Sequence, residues 1–299
     1  MKSNNSALVA LVLVQLFYGV TFTFANDVID GGYMQPFGFI LFRVSFAGIL
    51  FWIFSLWTPS EKIEYKDFSK FVIAAFFGVA LNMLAFFKGL QFTTPINGSV
   101  IMVTTPIIVL ILSAIILREK ITKIRLFGVL AGLSGALILS LYNSSSNSRD
   151  HILLGNFLIL VNAASYSYYL ILIKKLTAKY HPYTFIKWLF LFGTLFVFPF
   201  GYKELSEVTW NEFTPYIWFS TIFVVVFATF ATYLLNPLAL RKLSATTVSA
   251  FVYVQPVFAG VFAVIMGSDS VSTIKIVATL LIFLGVYLVT KNSTQQPPK

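Results

Sequence analysis

The sequence contains no cysteine and only two histidines among its 299 residues. The absence of cysteine excludes disulfide bonds, thiolate catalysis and thiolate metal ligands. The two histidines, His151 and His181, lie at the ends of different predicted helices, so we do not expect them to form a paired metal site. We therefore predict neither a metal site nor a cofactor.

Charged residues are also scarce, at 11% of the chain, whereas hydrophobic residues make up 58%. The mean hydropathy of +0.85 lies well above that of soluble domains. These values indicate that lipid is the solvent and the bilayer the principal partner. A nucleic-acid partner is not needed to explain the net charge of +10, because the basic residues follow a membrane topology.

Ten nearly uncharged runs are long enough to cross a hydrocarbon core about 30 Å thick as helices. They do not alternate apolar and polar residues over about 10 positions, as the strands of a membrane barrel do. The predicted fold class is all-α and integral to the membrane. The predicted spans are 7–26, 36–57, 69–87, 95–116, 122–142, 152–173, 183–202, 214–236, 245–266 and 272–290.

Most basic residues fall in alternate loops between these spans. Lys62, Lys66 and Lys70 share one such loop, and Arg118 and Lys120 lie in the next one on the same side. Because basic residues that flank short loops stay on the cytoplasmic side, we predict that both termini are cytoplasmic. The expected location is a bacterial inner membrane, crossed several times.

The chain contains an internal repeat. At an offset of 150 residues Pro106 aligns with Pro256 and Gly135 aligns with Gly285. Each copy holds five predicted spans, an odd number, so the second copy enters the membrane from the opposite face. Proteins with inverted repeats usually hold their substrate near the midplane and alternate access by rocking the repeats.

We accordingly divide the chain into a first repeat, 1–145, and a second repeat, 146–299. The predicted function is secondary transport of a small molecule by alternating access, as an exporter or an exchanger. A homodimer is left open.

The two repeated prolines lie near the middle of their spans. A proline inside a helix leaves a carbonyl without its donor, and in lipid that carbonyl must find a polar partner nearby. Thr104, Thr105 and Gln255 stand beside Pro106 and Pro256, so we predict a polar, hydrated cavity there. The alternative interpretation is a packed kink in which the threonines bond back to their own helix.

Arg43 lies about two turns into the second span, where a charge is costly unless it faces a cavity. We expect it to attract a carboxylate or another anionic group of the substrate. Lys88, at the end of the third span, is the second basic residue of the predicted site. Interhelical hydrogen bonding is the alternative for the remaining polar residues. The other predicted substrate-binding residues are Gln15, Tyr18, Asn82, Asn97, Asn162, Tyr166, Tyr169 and Tyr253.

All eleven acidic residues lie in loops or at the ends of predicted helices. Proton-driven transporters usually carry an acidic residue or a histidine inside the membrane to load and release the proton. The pattern therefore favours facilitated diffusion or exchange over proton coupling.

Several short motifs resemble the EamA-type members of the drug/metabolite transporter superfamily. They include the segments around Arg43 (Phe-Arg-Val-Ser-Phe-Ala), Pro106 (Thr-Pro-Ile) and Pro256 (Gln-Pro-Val), and Leu-Arg-Glu-Lys at 117–120. The resemblance covers nearly the whole chain. It implies export of amino acids, nucleotide-related metabolites or drugs through a cavity lined by the first four helices of each half, with the fifth and tenth helices peripheral.

Two other functions stay open at this point. A lipid flippase would share the inverted architecture. A polytopic membrane enzyme would need concentrated acid and base groups, and the sequence shows neither a deep acid nor a known hydrolase motif.

Overall fold

The computed structural model describes residues 2–58, 61–93, 98, 101–142, 151–265 and 272–291. Within these residues the chain is helical and has no strand, as the predicted fold class requires. The helices follow the predicted spans in order. Seven of them are α1 (Lys2–Ile29), α2 (Pro36–Ser55), α4 (Thr105–Ile116), α5 (Lys123–Tyr142), α6 (Ile152–Thr177), α7 (Pro182–Ser206) and α10 (Thr273–Lys291).

The other three helices are built from consecutive segments. Helix α3 consists of Phe68–Ala75, Phe76–Leu81 and Asn82–Phe92, and α8 consists of Pro215–Val225, Val226–Ala231 and Thr232–Leu240. Helix α9 consists of Ala245–Ala250, Phe251–Val254 and Gln255–Ile265.

Eight helices of the described chain are long and apolar enough to cross a membrane: α1 to α3 and α6 to α10. The prediction of an all-helical chain with multiple membrane-crossing helices is therefore confirmed. Helix α4 is a shorter apolar helix of 12 residues, which begins at Thr105 after a turn at Val103 and Thr104. Residues 95–97 and 99–100 of the predicted span lie outside the described residues. The count of ten spans stays a prediction.

The starts of several helices follow directly from the sequence. Pro36, Pro182 and Pro215 occupy the first turns of α2, α7 and α8, where the missing N–H costs nothing. The side chains of Thr214 and Ser244 accept backbone N–H groups at the starts of α8 and α9, as N-cap residues do.

Helices α3 and α8 each contain a π-helical segment, at Phe76–Leu81 and Val226–Ala231. The two segments lie 150 residues apart, which is the offset of the sequence repeat. A π-helical turn interrupts the regular ladder of backbone bonds and often marks a functional site. Both segments contribute to the site described below.

The repeated prolines lie in similar settings. Pro106 is in the first turn of α4, where its missing N–H would have had no helical partner. Pro256 follows the 3-10 segment Phe251–Val254 of α9, in which the Val252 carbonyl accepts the N–H of Gln255. Kinks at these prolines stay a prediction.

The helices pack in pairs across the two halves of the chain. Helix α5 packs on α10, α2 on α7, α3 on α6, and α1 on both α8 and α9. The contact between α5 and α10 is close because glycines meet there: a Cβ on Gly285 would lie 2.6 Å from the carbonyl oxygen of Gly128.

Loops that the sequence assigned to the cytoplasmic side meet at one end of the molecule. The ammonium of Lys179 lies 2.6 Å from a carboxylate oxygen of Glu64 and 2.5 Å from one of Asp67. Hydrogen bonds from Lys179 and Lys66 hold the pKa of Glu64 below its usual range. Ion pairs therefore connect loops of the first and second halves at this end.

The opposite end is joined in a similar way. A carboxylate oxygen of Glu204, at the end of α7, accepts the backbone N–H groups of Phe37 and Gly38 at 2.7 and 2.8 Å. The Tyr216 hydroxyl donates to Asp27 at 2.6 Å. Segments that were predicted to lie outside the cytoplasm thus contact one another.

Candidate functional site

A group of one cation, four tyrosines and a threonine, each buried or half-buried, lies where α1, α2, α6 and α8 meet. We call this group the central cluster. It comprises Tyr18, Arg43, Tyr166, Tyr169, Thr229 and Tyr233.

Arg43 of α2 is the charged member of the central cluster. It is only 7% exposed, and its Nε donates to the Thr229 hydroxyl at 2.9 Å. That hydroxyl donates its single hydrogen to the carbonyl oxygen of Val224 at 2.9 Å, so it can only accept from Arg43. Among the described residues no acceptor is hydrogen-bonded to the Nη atoms. The end of the guanidinium therefore keeps a fork of donors that suits a carboxylate or a phosphate.

The bond from Thr229 to Val224 depends on the π-helical segment of α8. Threonine in a regular helix bonds back to the carbonyl three or four residues earlier. Here the bond reaches back five residues, which is the π-helical spacing. The π-helical turn thus fixes the position of the Thr229 hydroxyl, and this hydroxyl in turn holds the Arg43 guanidinium.

The tyrosines lie beside one another and near Arg43. Tyr18 and Tyr233 are close enough to Arg43 to interact with it electrostatically, and Tyr18 is hydrogen-bonded to Thr232. The ring of Tyr169 lies 6.0 Å from the rings of both Tyr166 and Tyr233, measured between centroids. Aromatic walls with hydroxyl groups suit a solute that has an apolar body and a polar end.

The π-helical segment of α3 anchors the other side of the central cluster. The Tyr233 hydroxyl donates to the carbonyl oxygen of Gly78 at 2.6 Å, and the Ser165 hydroxyl donates to that of Phe77 at 2.6 Å. Any Cβ on Gly78 would overlap the ring of Tyr169. Glycine at this position therefore allows α6 to approach α3.

Asn82 and Asn162 link α3 to α6 at a neighbouring level. The Asn162 amide donates to the Asn82 carbonyl at 2.7 Å, and the Asn82 amide donates to the Asn162 carbonyl at 3.5 Å. The side-chain oxygens of Asn162 and Gln15 are buried and accept no hydrogen bond from the described residues. They are acceptors that a bound donor could use.

The predicted residues of α4 and α9 are not members of the central cluster, but the carbonyl oxygen of Gln255 lies beside Gly19, which follows Tyr18 in α1. The Thr104 hydroxyl donates to the Ile101 carbonyl at 2.6 Å, as in the packed-kink alternative, and the Thr105 carbonyl accepts from Ser167 at 3.3 Å. Tyr253 is buried. Gln255 is half-buried.

The Tyr253 ring packs against α5, where any Cβ on Gly132 would overlap it. The hydroxyls of Tyr253 and Thr105 are buried without a partner among the described residues.

Of the two predicted basic residues, Lys88 does not join the central cluster. Lys88 is exposed; its ammonium lies 2.9 Å from Gln91 and 5.0 Å from the centre of the Phe92 ring. Asn97 lies outside the described residues.

Thr229 and Tyr233 are the two members of the central cluster that are not among the predicted substrate-binding residues. The spacing from Thr229 to Tyr233, four residues, places both on one face of a helix and could have indicated them.

The apolar helices and the buried cationic cluster define a polytopic helical membrane protein with a polar centre. The chain belongs to the EamA-like transporter family, whose sequence profile matches residues 5–141 and again 153–291. The family resemblance that the motifs suggested is thereby confirmed.

Curated relatives agree with this assignment. An uncharacterized transporter of Bacillus subtilis (strain 168), YetK, is 25% identical over 257 residues, which cover 86% of this chain and 78% of the relative. An uncharacterized transporter of Archaeoglobus fulgidus is 26% identical over 284 residues, covering 95% and 98%. A solved crystal structure superposes with a TM-score of 0.79 at 14% identity, covering 97% of this chain and 98% of the other, which shows the fold alone.

Proposed function

We propose that this protein is a secondary transporter that carries small metabolites with a carboxylate or other anionic group, such as amino acids, across the inner membrane. The observation that carries this proposal is the buried Arg43. Its guanidinium is fixed through Nε, its Nη donors have no hydrogen-bond acceptor among the described residues, and it lies near Tyr18 and Tyr233. Such a site binds one anionic group and accommodates an apolar body beside it.

Alternating access between two inverted repeats, 1–145 and 146–299, is the proposed mechanism. The double match of the family profile and the two π-helical segments support it. Helix packing supports it as well. When each helix is replaced by its counterpart in the other repeat, five helices along the chain, helix pairs in contact map onto other helix pairs that are also in contact. Contact of α3 with α6 becomes contact of α8 with α1, and α1 with α9 becomes α6 with α4.

Exchange is the proposed mode of transport. No carboxylate lies within ion-pair distance of Arg43 in the described part of the chain, and a buried unpaired cation is costly. An anionic solute would supply the missing counter-charge. The loaded carrier should therefore pass through the closed conformation more easily than the empty one, which favours one-for-one exchange.

A lipid flippase and a polytopic membrane enzyme are the alternative functions. The contacts of Arg43 in the central cluster favour neither of them. Within the described residues, no group of three or more potential metal ligands is present to organise enzyme chemistry.

An export screen tests the proposal. Cells that overexpress the protein should release metabolites bearing a carboxylate or a phosphate, and cells that produce equal amounts of Arg43→Gln should not. Release of uncharged solutes alone, or equal release by both proteins, would contradict the proposal.

A further inference from the structure

A pocket of about 130 Å³ lies between the end of α2 and the start of α7, at the end of the molecule that we predict to be cytoplasmic. We call it the α2–α7 pocket. Its wall includes Ser55, Glu61, Tyr183, Lys187 and Trp188. None of these residues belongs to the central cluster, so a ligand of this pocket is independent of the proposed function.

One wall of the α2–α7 pocket is cationic. The ammonium of Lys187 lies 4.7 Å from the centre of the Trp52 ring and 3.4 Å from the Ser55 hydroxyl. It has no carboxylate at ion-pair distance among the residues that the structure describes. The indole N–H of Trp188 is buried and likewise lacks an acceptor within that part of the chain. A cation and an unused donor together suit an oxyanion.

The lining of the pocket also includes an anionic group. One carboxylate oxygen of Glu61 accepts the backbone N–H of His181 at 2.8 Å and the Thr184 hydroxyl at 2.5 Å, which fixes the side chain. The other oxygen keeps its acceptor capacity. Glu61 and Lys187 line the same space and yet do not pair with each other. The pocket therefore presents both signs of charge, a short distance apart.

The dimensions fit a compact zwitterion. A single water needs roughly 10–15 Å³ of such space, so the pocket of about 130 Å³ admits several water-sized groups. A compact polar group such as phosphoethanolamine therefore suits it.

The surroundings of the pocket point to lipid. Leu56 and Trp57 next to it are 78% and 75% exposed, and the rings of Trp52 and Trp188 lie 5.2 Å apart. Tryptophan is enriched at the level of lipid headgroups, and large exposed apolar side chains in a membrane protein contact lipid. A ligand that enters here comes from the bilayer interface.

We propose that the α2–α7 pocket binds the headgroup of a zwitterionic aminophospholipid, phosphatidylethanolamine. The phosphate contacts Lys187 and the indole N–H of Trp188, and the ammonium contacts Glu61. Acyl chains remain outside, along α2 and α7. Bound lipid would link the two halves of the chain at this end.

Native mass spectrometry of the full-length protein tests this site. The protein is reconstituted in nanodiscs of equimolar phosphatidylethanolamine, phosphatidylglycerol and phosphatidylcholine, released in mild detergent, and its retained lipids are counted. Wild type should retain phosphatidylethanolamine over the other two. Lys187→Gln and Glu61→Gln should each lower this retention about tenfold, since each removes one charged contact.

Glutamine at 61 can still accept from His181 and Thr184, so the start of α7 keeps its cap in Glu61→Gln. The matched controls are Lys203→Gln and Glu207→Gln, an exposed pair at the other end of α7, and they should retain lipid as wild type does.

Three results would overturn the proposal. Equal retention by wild type and both pocket variants places the lipid elsewhere. Preference for phosphatidylglycerol together with indifference to Glu61→Gln makes the ligand a simple anion. Displacement of the lipid by soluble O-phosphoethanolamine at equal concentration makes the source the cytosol instead of the bilayer.

Discussion

At the scale of single residues, the protein depends on how one buried cation is held. Arg43 Nε donates a hydrogen bond to the Thr229 hydroxyl, and this hydroxyl donates to the Val224 carbonyl. One edge of the guanidinium is therefore fixed, and the other edge has no hydrogen-bond acceptor among the described residues. Thr229 does not have to touch the solute. It acts by orienting the group that does.

Replacing Thr229 by valine removes the hydroxyl and keeps the shape of the side chain. We expect Thr229→Val to raise the KM for a transported carboxylate about tenfold, because hydrogen bonds to charged groups contribute about 1.5–3 kcal/mol. Thr229→Ser should restore it. The measurement is uptake into proteoliposomes of the carboxylate found in the export screen.

Thr221→Val is the control for this experiment. Thr221 is also buried in α8, and its hydroxyl bonds back to the Ile217 carbonyl at 2.8 Å without reaching Arg43. A KM as high in Thr221→Val as in Thr229→Val would contradict the positioning role.

At the scale of elements, the sequence predicts helix starts better than helix irregularities. The starts of α2, α7 and α8 depend on a local proline, which the sequence displays directly. The π-helical segments depend on distant partners. The hydroxyls of Tyr233 and Ser165, on other helices, donate to the carbonyls of Gly78 and Phe77. No local sequence pattern therefore predicts the π-helical turn.

The crossing of α3 and α6 at Gly78 gives a prediction at this scale. Gly78→Ala should lower the free energy of unfolding by about 1–3 kcal/mol, because the added methyl group overlaps the Tyr169 ring and forces the helices apart. Thermal unfolding in detergent measures the effect.

Gly260→Ala is the matched control, since a Cβ there meets nothing within 4 Å. It should leave stability unchanged or slightly higher, as expected for alanine in a helix. Equal melting temperatures for wild type and Gly78→Ala would contradict the close packing of α3 on α6 at Gly78.

At the scale of the whole molecule, composition predicted the helical membrane fold and short motifs predicted the family. Of the predicted site residues, Tyr18, Arg43, Tyr166 and Tyr169 meet in the central cluster; that they bind the substrate stays a prediction. Lys88 does not join them. Depth along a helix can be read from sequence, but the direction in which a side chain points depends on how neighbouring helices are rotated, and this explains the difference.

Topology is testable on the whole molecule because the chain has no cysteine. Single cysteines at Lys62 and Lys203 should react oppositely with a membrane-impermeant maleimide added to intact cells. We expect Lys203→Cys to be labelled and Lys62→Cys to be labelled only after lysis. Labelling of Lys62→Cys in intact cells would contradict the proposed orientation.

Counterflow tests the central claim, carrier transport of an anionic solute through Arg43, most directly. Proteoliposomes are loaded with the unlabelled carboxylate identified in the export screen, and entry of the labelled compound is followed. We expect rapid entry into loaded vesicles, little entry into empty ones, and neither with Arg43→Gln. Equal entry into loaded and empty vesicles, or full counterflow with Arg43→Gln, would contradict this claim.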